Sequence, residues 1–293
     1  MPRALDLALT AIAPIVWGST YIVTTEALPP GYPLTVAALR ALPAGLLLLA
    51  ITRVFPPREW LGRVLVLGAL NFAIFWAFLF IAAYRLPGGA AATIGALQAL
   101  MVIGFSRWLL GTPIVAIAII AAVLGVGGVA LLLLGPASGY DLLGIVAALA
   151  GTVSMAAGTV LSRKWQPPVA ILTFAAWQLT AGGLLLVPIA LLIEPPLPPL
   201  TTTNLAGLAW LGLVGAAATY WFWLRGVVRL GPGVTAMLGM LSPVSAVVLG
   251  WIWLDQYLTA SQLLGALLVI SGIGLGYTSR RSQTLKPSSP ELG

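Results

Sequence analysis

Arg85-Leu86-Pro87-Gly88-Gly89-Ala90-Ala91-Ala92 and Arg229-Leu230-Gly231-Pro232-Gly233-Val234-Thr235-Ala236 are two versions of one stretch, 144 residues apart. The same offset pairs Leu61 with Leu205, Leu67-Gly68 with Leu211-Gly212, Phe78 with Phe222, Gly95 with Gly239 and Leu97 with Leu241. An offset of 138 lays Thr35 on Thr173, Ala38 on Ala176 and Gly45-Leu46-Leu47-Leu48 on Gly183-Leu184-Leu185-Leu186, and it sets Arg40 on Gln178. A third, of 140, brings Gly18 onto Gly158. Leu, Ala and Gly align easily among apolar helices; a run that carries a charge and turn residues does not. The chain therefore reads as a duplication over residues 1–138 and 139–280, followed by a polar, disordered tail over 281–293.

Each copy divides into five apolar runs. In the first half they are Leu5–Thr25, Leu34–Thr52, Val64–Tyr84, Gly89–Ser106 and Ile114–Leu134; in the second, Leu142–Leu161, Val169–Leu192, Leu205–Leu224, Val234–Leu254 and Ser261–Ser279. About 20 apolar residues cross a bilayer as a helix, and helices are required because lipid offers no partner to an exposed N–H or C=O. The only charges inside the runs are Asp6, in the first turn of the first, and Arg40. The connections are short and rich in Pro and Gly, as in Leu28-Pro29-Pro30-Gly31 and Pro195-Pro196-Leu197-Pro198-Pro199. The expected fold is an all-α integral membrane protein of ten transmembrane helices, arranged as two inverted five-helix repeats around a central cavity. Five is odd, so the second copy enters the membrane upside down. Two like halves that rock about a central site have two accessible states of similar energy.

Composition excludes other classes. The 293 residues are 60% hydrophobic and 7% charged, against about 25% charged in a soluble domain, so a water-soluble enzyme is ruled out. There is no Cys and no His, which removes disulfides, thiolate nucleophiles, Cys/His metal centres and Ser-His catalysis; no metal and no cofactor is expected. Of the 14 basic residues, 12 fall on one side of a ten-span chain, with Arg85 alone facing Glu26, Asp141, Glu194 and Asp255 on the other. Cytoplasmic loops collect Lys and Arg, so both termini are expected in the cytoplasm, in a bacterial inner membrane. The net charge of +7 is topological: scattered over loops, it forms no basic groove for nucleic acid. The expected partners are the bilayer and a small-molecule substrate, with the chain working as a monomer.

Several residues carry a family resemblance. Trp17-Gly18-Ser19-Thr20, the Arg of the second run (Arg40), the Ala- and Gly-rich start of the fourth run and Leu241-Ser242-Pro243 in the ninth fit together with an acidic residue that ends the ninth run before Leu-Thr. This pattern resembles the EamA-type, ten-helix branch of the drug/metabolite transporter superfamily. In length, span number and aromatic content it is most similar to the YddG-like bacterial exporters of aromatic amino acids. One departure is Asp255, where the family usually has Glu; its counterpart in the first half is Gly111. The resemblance implies efflux of amino acids or metabolites through a central cavity.

A cavity needs polar or aromatic groups deep in the membrane, and few are present. Trp17 and Tyr21 lie one turn apart on the first helix and share a face. Asn71 opens a run with Phe75, Trp76 and Phe78 on the third, and Tyr220 lies on its counterpart, the eighth. Gln98 is on the fourth, its repeat mate Ser242 on the ninth, and Trp177 and Gln178 on the seventh. These are the candidate cavity residues; Tyr84, Trp108, Trp251, Trp253 and Tyr277, at span ends, suit an interfacial belt instead. Arg40, about 10 Å from its helix start, is expected to face protein or water as a clamp on helix carbonyls or a cavity rim rather than to touch substrate. Pro243 is the candidate hinge, and Gly18 a structural position. Gly125, Gly128, Gly272 and Gly276 offer close-packing faces. No Asp, Glu, Lys or His lies mid-span, so facilitated diffusion is expected, or coupling through span-end residues such as Glu26 or Asp255. The best-suited cargo is an aromatic or other neutral amino acid; flat organic cations or drugs held by cation–π contact, or a passive channel for small metabolites, are the alternatives.

Overall fold

The computed structural model describes residues 2–86, 93–133, 141–253 and 259–284, and among them every regular element is a helix. They are α1 (Pro2–Ala27), α2 (Pro33–Thr52), α3 (Arg58–Gly68, Ala69–Ala73 and Ile74–Arg85 end to end), α4 (Thr93–Leu110), α5 (Ala116–Leu133), α6 (Leu142–Lys164), α7 (Ile171–Ile193), α8 (Thr202–Ala209, Trp210–Ala218 and Thr219–Arg229), α9 (Pro232–Gly239, then Leu241–Trp253) and α10 (Ala260–Thr284). Among the described residues, eight helices are long and apolar enough to cross a membrane, and α5 and α10 contain the shorter apolar helices Ala116–Leu132 and Ala260–Gly276. The middle of the repeated stretch (87–92), Asp255 and residues 285–293 lie outside the described residues. α10 runs on to Thr284, past the point where the polar tail was expected to begin.

Boundaries follow local chemistry. α3 begins at Arg58 rather than Val64: Pro57 provides an extended residue before the helix, Trp60 is buried, and the Arg63 guanidinium stacks 4.9 Å over the Trp60 ring. α8 begins with a capping box in which Thr201 Oγ1 accepts from Asn204 N–H at 3.2 Å and Asn204 Oδ1 accepts from Thr201 N–H at 2.8 Å; such a cap is worth about 1 kcal/mol. The Asn204 amide also donates to the Ala27 carbonyl at the end of α1. Glu194, just past α7, accepts from Leu34 and Thr35 N–H at 2.7 and 2.8 Å and so caps α2 from the opposite half.

Packing is symmetric on exchange of the halves. α2 lies against its counterpart α7, and α5 against α10; α1 packs on α8 and α9 as α6 packs on α3 and α4. The two self-paired contacts are backbone-close. A Cβ on Gly183 would stand 2.6 Å from Leu42 Cα, and one on Gly45 would run into Thr180, the same pair displaced by 138 residues. A Cβ on Gly128 would stand 2.6 Å from the Gly265 carbonyl, and one on Gly272 2.7 Å from that of Ala121, which are again mates at an offset of 144. Of the four glycines expected to offer close-packing faces, Gly125 and Gly276 also abut the sulfurs of Met240 and Met237 from α9.

Interruptions also recur. α3 and α8 each contain a π-helical segment, Ala69–Ala73 and Trp210–Ala218, at corresponding positions. α4 and α9 each break in a single tight turn, with Leu97 N–H bonded to the Ile94 carbonyl and Met240 N–H to that of Met237. Pro243 follows the second break and has no N–H to return to Gly239; the first break has no proline beside it.

Candidate functional site

Between the halves lies a buried aromatic layer. Trp76 of α3 and Tyr220 of α8 are repeat mates at offset 144, and their rings stand 6.2 Å apart, edge to face. Phe72 joins them, 5.2 Å from Trp76 and 4.5 Å from Tyr220. Trp17 of α1 closes the group against Tyr220 at 5.2 Å and Trp223 at 5.0 Å. Phe72, Trp76, Tyr220 and Trp223 are buried and Trp17 is half-buried.

Two polar clusters flank this layer, each built on a π segment. In the first, the Gly215 carbonyl accepts from Trp17 Nε1 at 3.1 Å, Arg40 Nη2 at 2.8 Å and Thr219 Oγ1 at 2.9 Å, while Trp17 Nε1 also donates to Thr219 Oγ1 at 3.0 Å. The guanidinium lies directly beside Gly215: a Cβ there would stand in ordinary contact with Arg40 Nη2, at 3.5 Å. Arg40 is 4% exposed, its Cζ lies 4.7 Å over the Trp76 ring, and its Nε donates to nothing. An intramembrane Arg costs from about 2.5 kcal/mol upwards, and this one is compensated by a carbonyl and a π face. In the second cluster, Asn71 Nδ2 donates to Gln178 Oε1 at 2.7 Å and Ser162 Oγ at 3.1 Å, joining α3, α7 and α6. The clusters correspond: Gln178 is the mate of Arg40, and Asn71 that of Gly215.

The remaining expected residues are dispersed. Trp177 stands apart, its indole donating to the Val54 carbonyl beyond α2 at 2.7 Å. Phe75 is half-buried against the core that holds Phe72 and Trp76, while Phe78 approaches Gly151 of α6 through its Cβ and with Pro33, Ile81, Arg85 and Val146 lines a cleft of about 380 Å³. Gln98 is half-buried with Nε2 unpartnered, and Ser242 is half-buried at the start of the second piece of α9. Gly18 packs against Ser245, whose hydroxyl donates to the Ile15 carbonyl, so it joins α1 to α9. The side chain of Tyr21 lies outside what is described. Trp108, Trp251 and Trp253 are exposed near helix ends, as a belt requires. Gly215, Thr219 and Ser162 were missed by sequence reasoning; carrying Asn71 through the 144-residue offset would have found Gly215.

Ion pairs close both ends. Arg85, ending α3, donates to Asp141, before α6, at 2.8 Å. Its mate Arg229, ending α8, lies 3.5 Å from Asp6 of α1, which Arg225 holds at 2.5 Å. Each arginine thus grips the helix that opens the other half, and the pairs sit at opposite ends: Arg85 is grouped with Pro33 and Leu143, whereas the Arg163 guanidinium at the end of α6 donates to the Val228 carbonyl. The Arg85 pair is solvent-exposed; the Asp6 pair is not. The Arg85 guanidinium beside Asp141, with the N–H groups of Leu143 and Gly144, holds that carboxyl below its ordinary range.

Known proteins share this organisation. The model of the EamA-like transporter family matches the chain twice, over residues 5–134 and 142–278. PecM of Dickeya dadantii (strain 3937) is 45% identical over 264 residues, 89% of this chain and 88% of that protein. A probable amino-acid metabolite efflux pump of Escherichia coli (strain K12) is 27% identical over 290 residues, covering 92% of this chain and 93% of the pump. One protein crystal structure, 22% identical, superposes with a TM-score of 0.79 over 97% of this chain and 99% of that one, a likeness of fold. The chain belongs to the EamA-like transporter family and is a multi-pass membrane transporter.

Proposed function

We propose that the protein exports aromatic or other neutral amino acids and related metabolites across a bacterial inner membrane, as the YddG-like exporters do, by alternating access between two inverted halves of five spans each. The observation that carries this reading is the exchange of arginine grips: repeat mates Arg85 and Arg229, the latter together with Arg225, pair with aspartates across the halves at opposite ends, with the Trp76–Tyr220 layer between them. Opening one end while the other stays paired exposes that layer to one side at a time. The double match of the family model and the paired π segments support the duplication. The excess of Lys and Arg on the side of both termini supports a cytoplasmic location for them. The metabolite efflux pump among the relatives supports the cargo class. Arg40 over Trp76 argues against flat organic cations, which it would repel.

Reconstituted vesicles loaded with phenylalanine, tryptophan or threonine test the proposal. Saturable uptake of labelled amino acid, accelerated by the same compound inside, is expected; linear, non-exchanging flux would mean a channel, and no flux would end the amino-acid reading. Labelling of tags at the two ends, in intact and opened cells, checks the topology: both should react only after opening.

A further inference from the structure

We infer that Arg40 is the substrate's carboxylate-binding residue, and that the protein recognises aromatic compounds by ring and carboxylate while leaving their amino group unread. The inference rests on the transport reading above and narrows its cargo. Arg40 is a buried cation lying over an aromatic face, with a free Nε–H edge and no carboxylate paired to it among the described residues. The described carboxylates are committed or remote. Asp6 is held by Arg225, Asp141 by Arg85 and Glu194 by the α2 backbone, while Glu26 and Glu59 are exposed. A buried guanidinium with donors to spare is suited to an incoming carboxylate, which makes a charge-assisted contact. Trp76 lies 4.7 Å from the Arg40 Cζ, and Tyr220 and Trp17 continue the same buried aromatic layer, so a planar substrate ring admitted when that layer opens meets aromatic partners in offset or edge-on contact beside the guanidinium.

An ammonium group has no equivalent host. No described Asp or Glu meets the aromatic layer, and the Gly215 carbonyl already accepts three side-chain donors. The neighbouring Arg40 charge also opposes a cation on the Trp76 face. A zwitterionic amino acid is therefore bound through one of its two charges. An aromatic monocarboxylate without the amine should bind at least as well.

The test uses the purified full-length protein in detergent, following quenching of tryptophan fluorescence by phenylpropionate, phenylalanine and phenethylamine. Phenylpropionate and phenylalanine should bind tighter than phenethylamine by about tenfold or more. R40Q should erase that order, and R40K should retain part of it. Equal or tighter binding of phenethylamine overturns the inference, as does an R40Q protein with an unshifted thermal melt that keeps the preference for carboxylates. If R40Q does not fold, the ligand order on the unchanged chain decides alone. Because binding is read without transport, a protein that shows this order yet gives no counterflow in vesicles refutes the transporter mechanism and not the carboxylate site.

Discussion

Removing the Asp6 carboxylate should unlatch one end of the molecule. Asp6 is 9% exposed at its side chain and Arg225 15%, with 2.5 Å between them, so the pair is closer to a buried than to a surface ion pair. Breaking a fully buried pair costs about 3–5 kcal/mol, and an exposed one 1 kcal/mol at most; Arg229, at 3.5 Å and 50% exposed, belongs to the second class. An intermediate value of about 2 kcal/mol for Asp6→Ala corresponds to a shift of roughly 30-fold in the equilibrium between paired and open ends. Thr10 is unaffected, since its hydroxyl donates to the Asp6 backbone carbonyl. The chain has no cysteine, so Ala11→Cys, beside the buried Leu230, supplies a single reporter. Its maleimide labelling in detergent should accelerate by about 30-fold in the D6A background, and Asp6→Asn should fall between. If D6A lowers the melting temperature but leaves the labelling rate within twofold, the pair is structural only and the latch argument fails.

Gly183→Val places side-chain atoms where Leu42 backbone stands, 2.6 Å from the added Cβ. It should cost about 1–3 kcal/mol, read as a lower detergent melting temperature, whereas Gly62→Val, with open space around it, should not. Trp17→Phe keeps a ring but loses the donor to Gly215 and Thr219; the KM for aromatic substrate should rise several-fold, while Trp177→Phe, which loses only the bond to Val54, should change stability and not KM. A double-mutant cycle on Asn71→Ala and Gln178→Ala should return a coupling of about 0.6–1.7 kcal/mol; a value near zero would mean the 2.7 Å contact does not hold the two helices. The Arg85–Asp141 bridge should make transport insensitive to pH between about 5 and 8. Asp141's folded-state pKa lies below the ordinary 3.8, so its contribution is complete above that value and is lost only as pH falls through the lower one. Loss of the bridge above pH 5, seen as D141N-like flux in the unmodified chain, would contradict this.

The helical membrane architecture was legible because apolar runs near 20 residues admit no other structure in lipid. The duplication could be read because both copies of the turn stretch keep their arginine, Arg85 and Arg229. Arg40 was legible as a charge that demands a partner, whether a helix carbonyl or a cavity rim. Which carbonyl was not: that depends on the π segment of α8, and nothing in Trp210–Ala218, an ordinary run of Gly, Ala and Leu, announces a change of helical winding. Trp177 and Trp17 were both read as cavity residues, but position along a helix does not give azimuth, and the Trp177 indole turns to the end of α2. Phe78 shares a helix with Trp76 but packs with Ala82 and Ala147, whereas Phe75 is half-buried against the core that holds Phe72 and Trp76. The latches were hidden because Asp6 and Arg229 stand 223 residues apart, and only the folded halves bring them within 3.5 Å.

At the glycine crossings of α2 with α7 and α5 with α10, backbone comes so close to backbone that an added Cβ would meet it at 2.8 Å or less. On the alternating-access proposal, surfaces that meet this closely have little to slide on, so relative motion there would be rotation about the point of touch. Such a fulcrum scarcely moves its own surroundings. It turns a few degrees of tilt into ångströms of travel at the far ends of the levers, where the two aspartates wait.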